Sequence, residues 1–153
     1  MTKPITILVA DDDPDDRALT REAFEEARLA NDLRFVEDGV ELLDYLNRRG
    51  KYADPALSPR PGIILLDLNM PRKDGREALA EIKADPRFRA IRIIIMTTSK
   101  AEEDVLRVYD LSAASYIAKP VTFDALVEVV RTIGRYWLEI VELPDHADEQ
   151  PTR

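Results

Sequence analysis

The chain has 153 residues, no cysteine and a formal net charge of -8. This length suits one domain and leaves no room for a large second one, and the lack of cysteine excludes disulfides, thiol nucleophiles and thiolate metal sites. No apolar run approaches the roughly 20 residues that a membrane helix needs, so we expect a cytoplasmic protein without membrane contact. The negative charge repels phosphate backbones, and we expect no direct nucleic-acid binding.

Short apolar runs alternate with stretches that have helical spacing and helix start signals. Strands are predicted at 5–10, 33–36, 63–67, 92–96 and 115–118. Helices are predicted from Pro14, at 38–49, 75–84 and 100–111, and from Phe123 to about Glu142. Continuous apolar strands are typical of parallel sheets buried on both faces, and right-handed crossovers then favour a doubly wound α/β sheet.

Several helix starts carry capping signals, including capping-box spacing at Ser99 and Glu102 and a cap at Thr122 for the last helix. Pro14 follows Asp13 as a first-turn proline follows a cap, and Asp16 lies where the positive helix end favours acids. Asp38 and Glu41 have the spacing of a capping box, in which each side chain accepts a hydrogen bond from the other residue's backbone N–H. The first helix is predicted to bury a face made by Leu19, Ala23, Phe24 and Ala27.

Polar side chains lie at the ends of four predicted strands. Asp11 and Asp12 follow the first strand, Asp67 ends the third, Thr97 follows the fourth and Lys119 follows the fifth. In a doubly wound sheet these ends share the edge where ligands bind. Crowded carboxylates repel by roughly 4 kcal/mol per close pair, so a hard cation such as Mg²⁺ is expected, and Mg²⁺ commonly completes its shell with phosphate. Asp67 could then attack phosphorus, with Lys119 and Thr97 contacting the oxygens.

Lys119 precedes a proline, and bonds to proline are the ones that adopt the cis form. A cis Lys119–Pro120 bond would turn the lysine inward toward the predicted site. The sequence leaves the isomer open.

Taken together, these residues resemble the receiver domain of two-component response regulators. The resemblance is carried by Asp11-Asp12, Asp67 before Asn69-Met70-Pro71, Asp74-Gly75, Thr97, Tyr116 and Lys119-Pro120. It covers about residues 5–142 and implies a flavodoxin-like (βα)5 fold with five parallel strands in the order 2-1-3-4-5. The expected organisation is a receiver domain at 1–142 with an extended last helix, followed by a polar, disordered tail at 143–153.

The resemblance implies that Asp67 accepts a phosphoryl group from a phosphohistidine of a sensor histidine kinase. Mg²⁺, or Mn²⁺ in its place, would be held by Asp12, Asp67 and the backbone carbonyl of Asn69, with Asp11 acting through water. Such a domain assists its own phosphorylation and dephosphorylation, but is a switch and not an enzyme.

The resemblance also implies a readout of the phosphorylated state. Thr97 and Lys119 would contact the phosphoryl oxygens, and Tyr116 would swing inward when Thr97 moves. The face made by the fourth helix, fifth strand and fifth helix would then change its contacts with other proteins.

A finer resemblance is to small regulators paired with phytochrome-type kinases. It rests on Asp13-Pro14-Asp15-Asp16, the long loop before the third strand, Met96-Thr97-Thr98-Ser99 and Tyr136-Trp137. It implies a stand-alone receiver that serves a bacterial phytochrome and signals by protein contacts.

The last predicted helix carries an apolar stripe along its whole length. At about 1.5 Å per residue, twenty residues span about 30 Å and overhang a small sheet. The overhanging apolar residues need a partner, and we expect a homodimer. Its candidate interface residues are Tyr136, Trp137, Ile140 and Val141.

Two other functions remain open from the residues alone. Hydrolases of the haloacid dehalogenase type also form an aspartyl phosphate, but they place a second aspartate two positions after the nucleophile, where this chain has Asn69. An asparagine cannot shuttle a proton. The other alternative is a receiver-like binding module that works without phosphate, against which the full set of Asp67, Thr97 and Lys119 argues.

Overall fold

The computed structural model describes residues 5–97 and 115–135. The strands are β1 (Thr6–Ala10), β2 (Asp32–Val36), β3 (Pro61–Asp67), β4 (Arg92–Thr97) and β5 (Ser115–Ala118). The helices are α1 (Pro14–Glu26), α2 (Gly39–Asn47), α3 (Gly75–Ala84) and a C-terminal helix (Phe123–Ile133). Short 3-10 turns span Gly50–Tyr52 and Pro55–Leu57. The helix predicted at 100–111 and the last helix beyond residue 135 lie outside the described residues.

All five strands belong to one parallel sheet. Its order is β2-β1-β3-β4-β5, which confirms the predicted doubly wound arrangement. Every residue of β1 and of β3 is buried, because helices cover both faces of the sheet. The carboxyl ends of the strands therefore form one edge, as the sequence predicts for the polar residues that follow them.

The sheet separates two apolar cores. On one face α2 and α3 pack their leucines and isoleucines against β1, β3 and β4, with Phe88 closing the core. On the other face α1 contributes Phe24, and the C-terminal helix contributes Val127, Val130 and Ile133. Among the described helices none is long and apolar enough to cross a membrane.

The helix caps agree with the sequence in all but one bond. Asp13 caps α1, with its Oδ1 accepting from the N–H of Asp15 at 2.8 Å, and Asp38 caps α2 by accepting from the N–H of Glu41 at 2.8 Å. The capping box predicted at α2 also requires Glu41 to accept from the N–H of Asp38, and that part of the prediction is wrong. One oxygen of the Glu41 carboxylate accepts instead from the N–H of Glu37 at 2.6 Å, and the other accepts from the hydroxyl of Tyr52 at 2.6 Å.

Three further details differ from the prediction. Helix α2 ends at Asn47, two residues early, because Arg48 adopts a left-handed conformation with φ 56. Strand β3 begins at Pro61, because Pro61 already pairs with Thr6 of β1. Leu19 of α1 is 39% exposed and does not belong to the buried face of that helix, since it lines a surface cleft beside Lys119.

Candidate functional site

Three carboxylates meet at the carboxyl edge of the sheet. Asp11 follows β1 and Asp67 ends β3, and both are buried, whereas Asp12 is exposed. One carboxylate oxygen of each residue lies within 4.8 Å of the others. The structure thus brings together the three acids that the sequence predicts at this edge.

Backbone N–H groups orient the two buried carboxylates. The N–H of Asp13 donates to Oδ1 of Asp11 at 3.0 Å, and the N–H of Asn69 donates to Oδ1 of Asp67 at 3.1 Å. Gly75 closes the loop behind Asp67, because a Cβ at that position would lie 2.5 Å from the Asp67 carbonyl oxygen. Each carboxylate keeps Oδ2 for partners inside the site.

Lys119 brings a positive charge to the carboxylates of the site. Its Nζ lies 3.0 Å from Oδ2 of Asp16, 3.3 Å from Oδ2 of Asp67 and 3.5 Å from Oδ2 of Asp11. Lys119 follows β5, so its side chain reaches the strand ends of β1 and β3 across the edge. The structure thus places this lysine, which the sequence predicts at the same edge, next to Asp67.

Burial and charge act in opposite directions on the ionisable groups. Burial raises the pKa of Asp11 and of Asp67 above the usual aspartate value, although the backbone N–H bonds and Lys119 both favour the ionised forms. Burial by itself would lower the pKa of Lys119, but the hydrogen bond with Asp16 and the charges of Asp67 and Asp11 raise it. The lysine is therefore protonated, and it neutralises part of the negative charge of the cluster.

Asp16 is a member of the site that sequence reasoning missed. The sequence assigns it only to helix-start electrostatics, yet its carboxylate makes the shortest ion pair of Lys119. Side chains in the first turn of a helix lean toward the helix N-terminus, which here faces the carboxyl edge of the sheet. That direction was the signal available in the sequence.

Two predicted switch residues are described only by their backbones. Thr97 is the last residue of β4 and pairs with Ala118, the residue before Lys119. Tyr116 pairs with Ile95 inside the sheet. The side chains of Thr97 and Tyr116 lie outside the described part of the chain, as do the predicted dimer residues Tyr136, Trp137, Ile140 and Val141.

The peptide bond between Lys119 and Pro120 is trans, since no described residue has a cis bond. The alternative isomer that the sequence leaves open is therefore not adopted. Lys119 reaches the carboxylates without it.

The donor set at this edge suits a hard divalent cation. Asp11, Asp12 and Asp67 offer only oxygen ligands, which such cations prefer. Each close pair of these charges repels by roughly 4 kcal/mol at an intermediate dielectric. Lys119 supplies one positive charge against the cluster and Asp16, so a negative charge remains for a cation to neutralise.

A family profile described as response regulator receiver domain matches residues 7–131. Response regulator Rcp1 of Synechocystis sp. is 39% identical over 141 residues, which are 92% of this chain and 94% of Rcp1. The Mn²⁺-bound form of Rcp1 has been solved and matches with a TM-score of 0.80 at 39% identity, covering 92% of this chain and 99% of that chain.

Two further solved structures are similar over nearly their whole length. The phosphorylated cyanobacterial phytochrome response regulator RcpA is 38% identical with a TM-score of 0.83, and the match covers 93% of this chain and 99% of RcpA. Response regulator RPA3017, from red light signaling of R. palustris, is 37% identical with a TM-score of 0.84 and the same two coverages. Both the family resemblance and the finer resemblance drawn from the sequence are confirmed.

Proposed function

Because this chain belongs to the family of response regulator receiver domains and is similar to phytochrome response regulators, we propose that Asp67 accepts a phosphoryl group from a histidine kinase. The observation that carries the proposal is the position of its carboxylate. It is buried at the carboxyl edge of the sheet, beside Asp11 and Asp12, with the Lys119 ammonium 3.3 Å away. These groups are the ones that phosphoryl transfer to a carboxylate needs.

In the proposed reaction an oxygen of Asp67 forms a bond to phosphorus while the bond between phosphorus and the kinase histidine breaks. The electron pair of that bond stays with the imidazole, which leaves neutral when its other ring nitrogen carries a proton. Lys119 stabilises the negative phosphoryl oxygens, and the N–H of Asn69 keeps the carboxylate oriented. The same groups would favour hydrolysis, in which a water oxygen bonds to phosphorus and the bond to Asp67 breaks, so the domain assists its own dephosphorylation and acts as a switch.

The cation of the site is proposed to be Mg²⁺, with Mn²⁺ able to replace it. Asp12, Asp67 and the Asn69 backbone carbonyl would hold it, and Asp11 would act through water. When bound, it supplies positive charge to the phosphoryl oxygens. The solved Mn²⁺-bound form of Rcp1 supports a divalent cation in a similar protein.

The kinase partner is proposed to be of the phytochrome type, which the similarity to RcpA and RPA3017 supports. The kinase would dock on the exposed apolar residues of this chain beside the site. Val121 is 96% exposed, and Leu19 and Phe123 border the same cleft. The proposed location is the cytoplasm, as expected from the sequence.

The output is proposed to be a change in protein contacts, transmitted by Thr97 and Tyr116 to the face made by the fourth helix, β5 and the last helix. A homodimer would form through Tyr136, Trp137, Ile140 and Val141 of the last helix. Its support is the apolar spacing of the sequence beyond residue 135.

The test is to incubate the protein with Mg²⁺ and acetyl phosphate, or with a phosphorylated phytochrome-type kinase, and to measure covalent phosphate by intact-protein mass. We expect one phosphate per chain, stable in acid and labile in base, that is absent from Asp67→Asn. The matched control is Asp74→Asn, which changes a nearby acid but keeps a side chain able to cap α3.

Each other outcome counts against the proposal. Labelling of Asp67→Asn would place the phosphate elsewhere, and no label from either donor would favour a binding module that works without phosphate. Repeated turnover of small phosphate esters would favour the hydrolase alternative.

A further inference from the structure

The junction between β2 and α2, residues 36–39, is bonded to Asp11, which follows β1, and to the loop that follows Asp67. The N–H of Asp11 donates to the carbonyl of Val36 at 3.0 Å. Three residues later, the N–H of Gly39 donates to the carbonyl of Lys73 at 2.8 Å. Lys73 belongs to the loop between β3 and α3, residues 68–74, which also contains Asn69. Residues 36–39 therefore connect Asp11 to the loop that contains Asn69.

A bidentate ion pair reinforces this bridge. Nε of Arg72 lies 2.8 Å from Oδ2 of Asp38, and its Nη2 lies 3.1 Å from Oδ1. Asp38 is only 8% exposed. Burial would raise the pKa of Asp38, but the hydrogen bonds from Arg72 and from the N–H of Glu41 outweigh it and lower that pKa. Two parallel bonds fix direction as well as distance, which a single lysine contact would not do.

The backbone around Arg72 depends on this support. Arg72 has φ 63, a left-handed conformation that costs a residue with a Cβ about 1–2 kcal/mol. The loop also lies directly on α2, since a Cβ on Gly39 would come within 2.2 Å of the Lys73 carbonyl oxygen. A strained backbone in contact with a helix start keeps its conformation only where surrounding bonds hold it.

We infer that the Asp38–Arg72 pair is a positioning device for the metal site, and that cation affinity depends on it although neither residue touches the cluster. This inference rests on the proposed function, because it assumes that Asn69 and the carboxylates bind the cation together. The pair sets where the loop bearing Asn69 stands relative to Asp11. Without it, the cation must pay the free-energy cost of ordering that loop.

The experiment measures binding of Mn²⁺ alone, from the electron paramagnetic resonance signal of the free ion. Asp38→Asn keeps a good helix cap but removes the charge, and Arg72→Asn removes the guanidinium while tolerating the left-handed backbone. We expect each variant to bind Mn²⁺ about three- to tenfold more weakly, less than the roughly 10- to 100-fold typical of groups bonded directly to a ligand. The double variant should lose no more than either single one, and Arg72→Lys should lie between Arg72→Asn and the wild type.

The matched controls are Arg87→Asn and Asp85→Asn. Arg87 and Asp85 form a similar two-bond pair, at 2.7 Å and 3.1 Å, beyond the C-terminal end of α3 and away from the carboxyl edge of the sheet. These control variants change the net charge by the same amount as Arg72→Asn and Asp38→Asn, so any general effect of net charge on cation binding appears in them as well.

A second readout separates positioning from loss of folded structure. Labelling by acetyl phosphate should be slow in Asp38→Asn and Arg72→Asn at low Mg²⁺ and should reach the wild-type rate at saturating Mg²⁺. Variants that bind Mn²⁺ no more weakly than their matched controls, or that stay slow at saturating Mg²⁺, overturn the inference. Failure of the wild type itself to bind Mn²⁺ would instead overturn the proposed metal site.

Discussion

Lys119 places one ammonium group among three carboxylates at the carboxyl edge of the sheet. The side chain of Asp67 is 10% exposed and that of Asp16 is 35% exposed, so water screens the Asp16 contact more strongly. The shortest distance is therefore not the most consequential one. We expect the contact with Asp67 to govern the chemistry and the contact with Asp16 to guide the lysine.

This difference predicts unequal effects of two substitutions. Lys119→Ala should slow labelling of Asp67 by acetyl phosphate about 10- to 100-fold, because the phosphoryl oxygens lose a preorganised charge. Asp16→Asn should change the rate by about threefold or less, because water screens this half-buried ion pair and Lys119 keeps two other acids. Initial rates at saturating Mg²⁺ measure both, and equal losses would contradict this ranking.

At this scale the sequence predicted the residues that follow strands. Asp11, Asp12, Asp67 and Lys119 could be identified because strand order alone brings their positions to one edge. Asp16 could not, because its contact depends on how the first turn of α1 leans over that edge. The same limit explains why the carboxylate of Glu41 bonds one residue away from its predicted partner, since Tyr52, eleven residues further along, also binds it.

At the scale of elements, α2 connects helix stability to the site through its cap. Asp38 accepts the N–H of Glu41 and also holds Arg72 of the next loop. Its pKa is lowered from the usual 3.8. The folded chain therefore keeps Asp38 ionised at pH values where the unfolded chain protonates it, so its stabilisation is complete above 3.8 and is lost as the pH falls through the folded pKa.

We predict that the wild type exceeds Asp38→Asn in free energy of unfolding by about 1 kcal/mol near neutral pH, as expected for an ion pair with one exposed partner. The difference should shrink as the pH falls below 3.8. Urea unfolding in EDTA at a series of pH values measures it. The raised pKa values of Asp11 and Asp67 act in the opposite direction, but both proteins share them, so they cancel in the difference. A difference that stays constant into acid would exclude the charge of Asp38 as its cause.

Element types were predictable because each apolar run and helix start had its own local signal. The bounds of β4 and β5 agree with the prediction to within one residue, and α3 begins and ends where the sequence indicates. The end of α2 was not predictable, because no glycine or asparagine marks the left-handed residue Arg48. Strand pairing of Pro61 likewise depends on β1 and not on local preference.

At the scale of the whole molecule, the two faces of the sheet are covered by different helices that contact different parts of the site. One face is covered by α2 and α3, which hold the loop that carries Asn69. The other is covered by α1 and the C-terminal helix, which border the exposed apolar cleft beside Lys119. The sequence indicated both helix layers through their apolar spacing. Which layer contacts which part of the site could not be predicted, because it depends on contacts between loops and helices.

The proposed homodimer belongs to this scale. We predict that the average mass in sedimentation rises with protein concentration and that Trp137→Ala or Ile140→Asp weakens this association about tenfold or more, as loss of a central interface residue does. Val121→Asp is the control, since Val121 is 96% exposed but lies next to the site. A mass that stays that of a monomer at all concentrations removes the dimer, and an equal effect of Val121→Asp would indicate nonspecific association.

Lys119 also has a consequence for how the chain reaches its native state. Its ammonium already acts as an internal counterion for Asp11, Asp16 and Asp67, so the acidic edge does not wait for a metal before it can assemble. We therefore expect the chain to fold without a cation, unlike small domains whose structure forms only around a metal. Under the proposed function, a chain that folds with its own counterion in place would exchange its cation without unfolding.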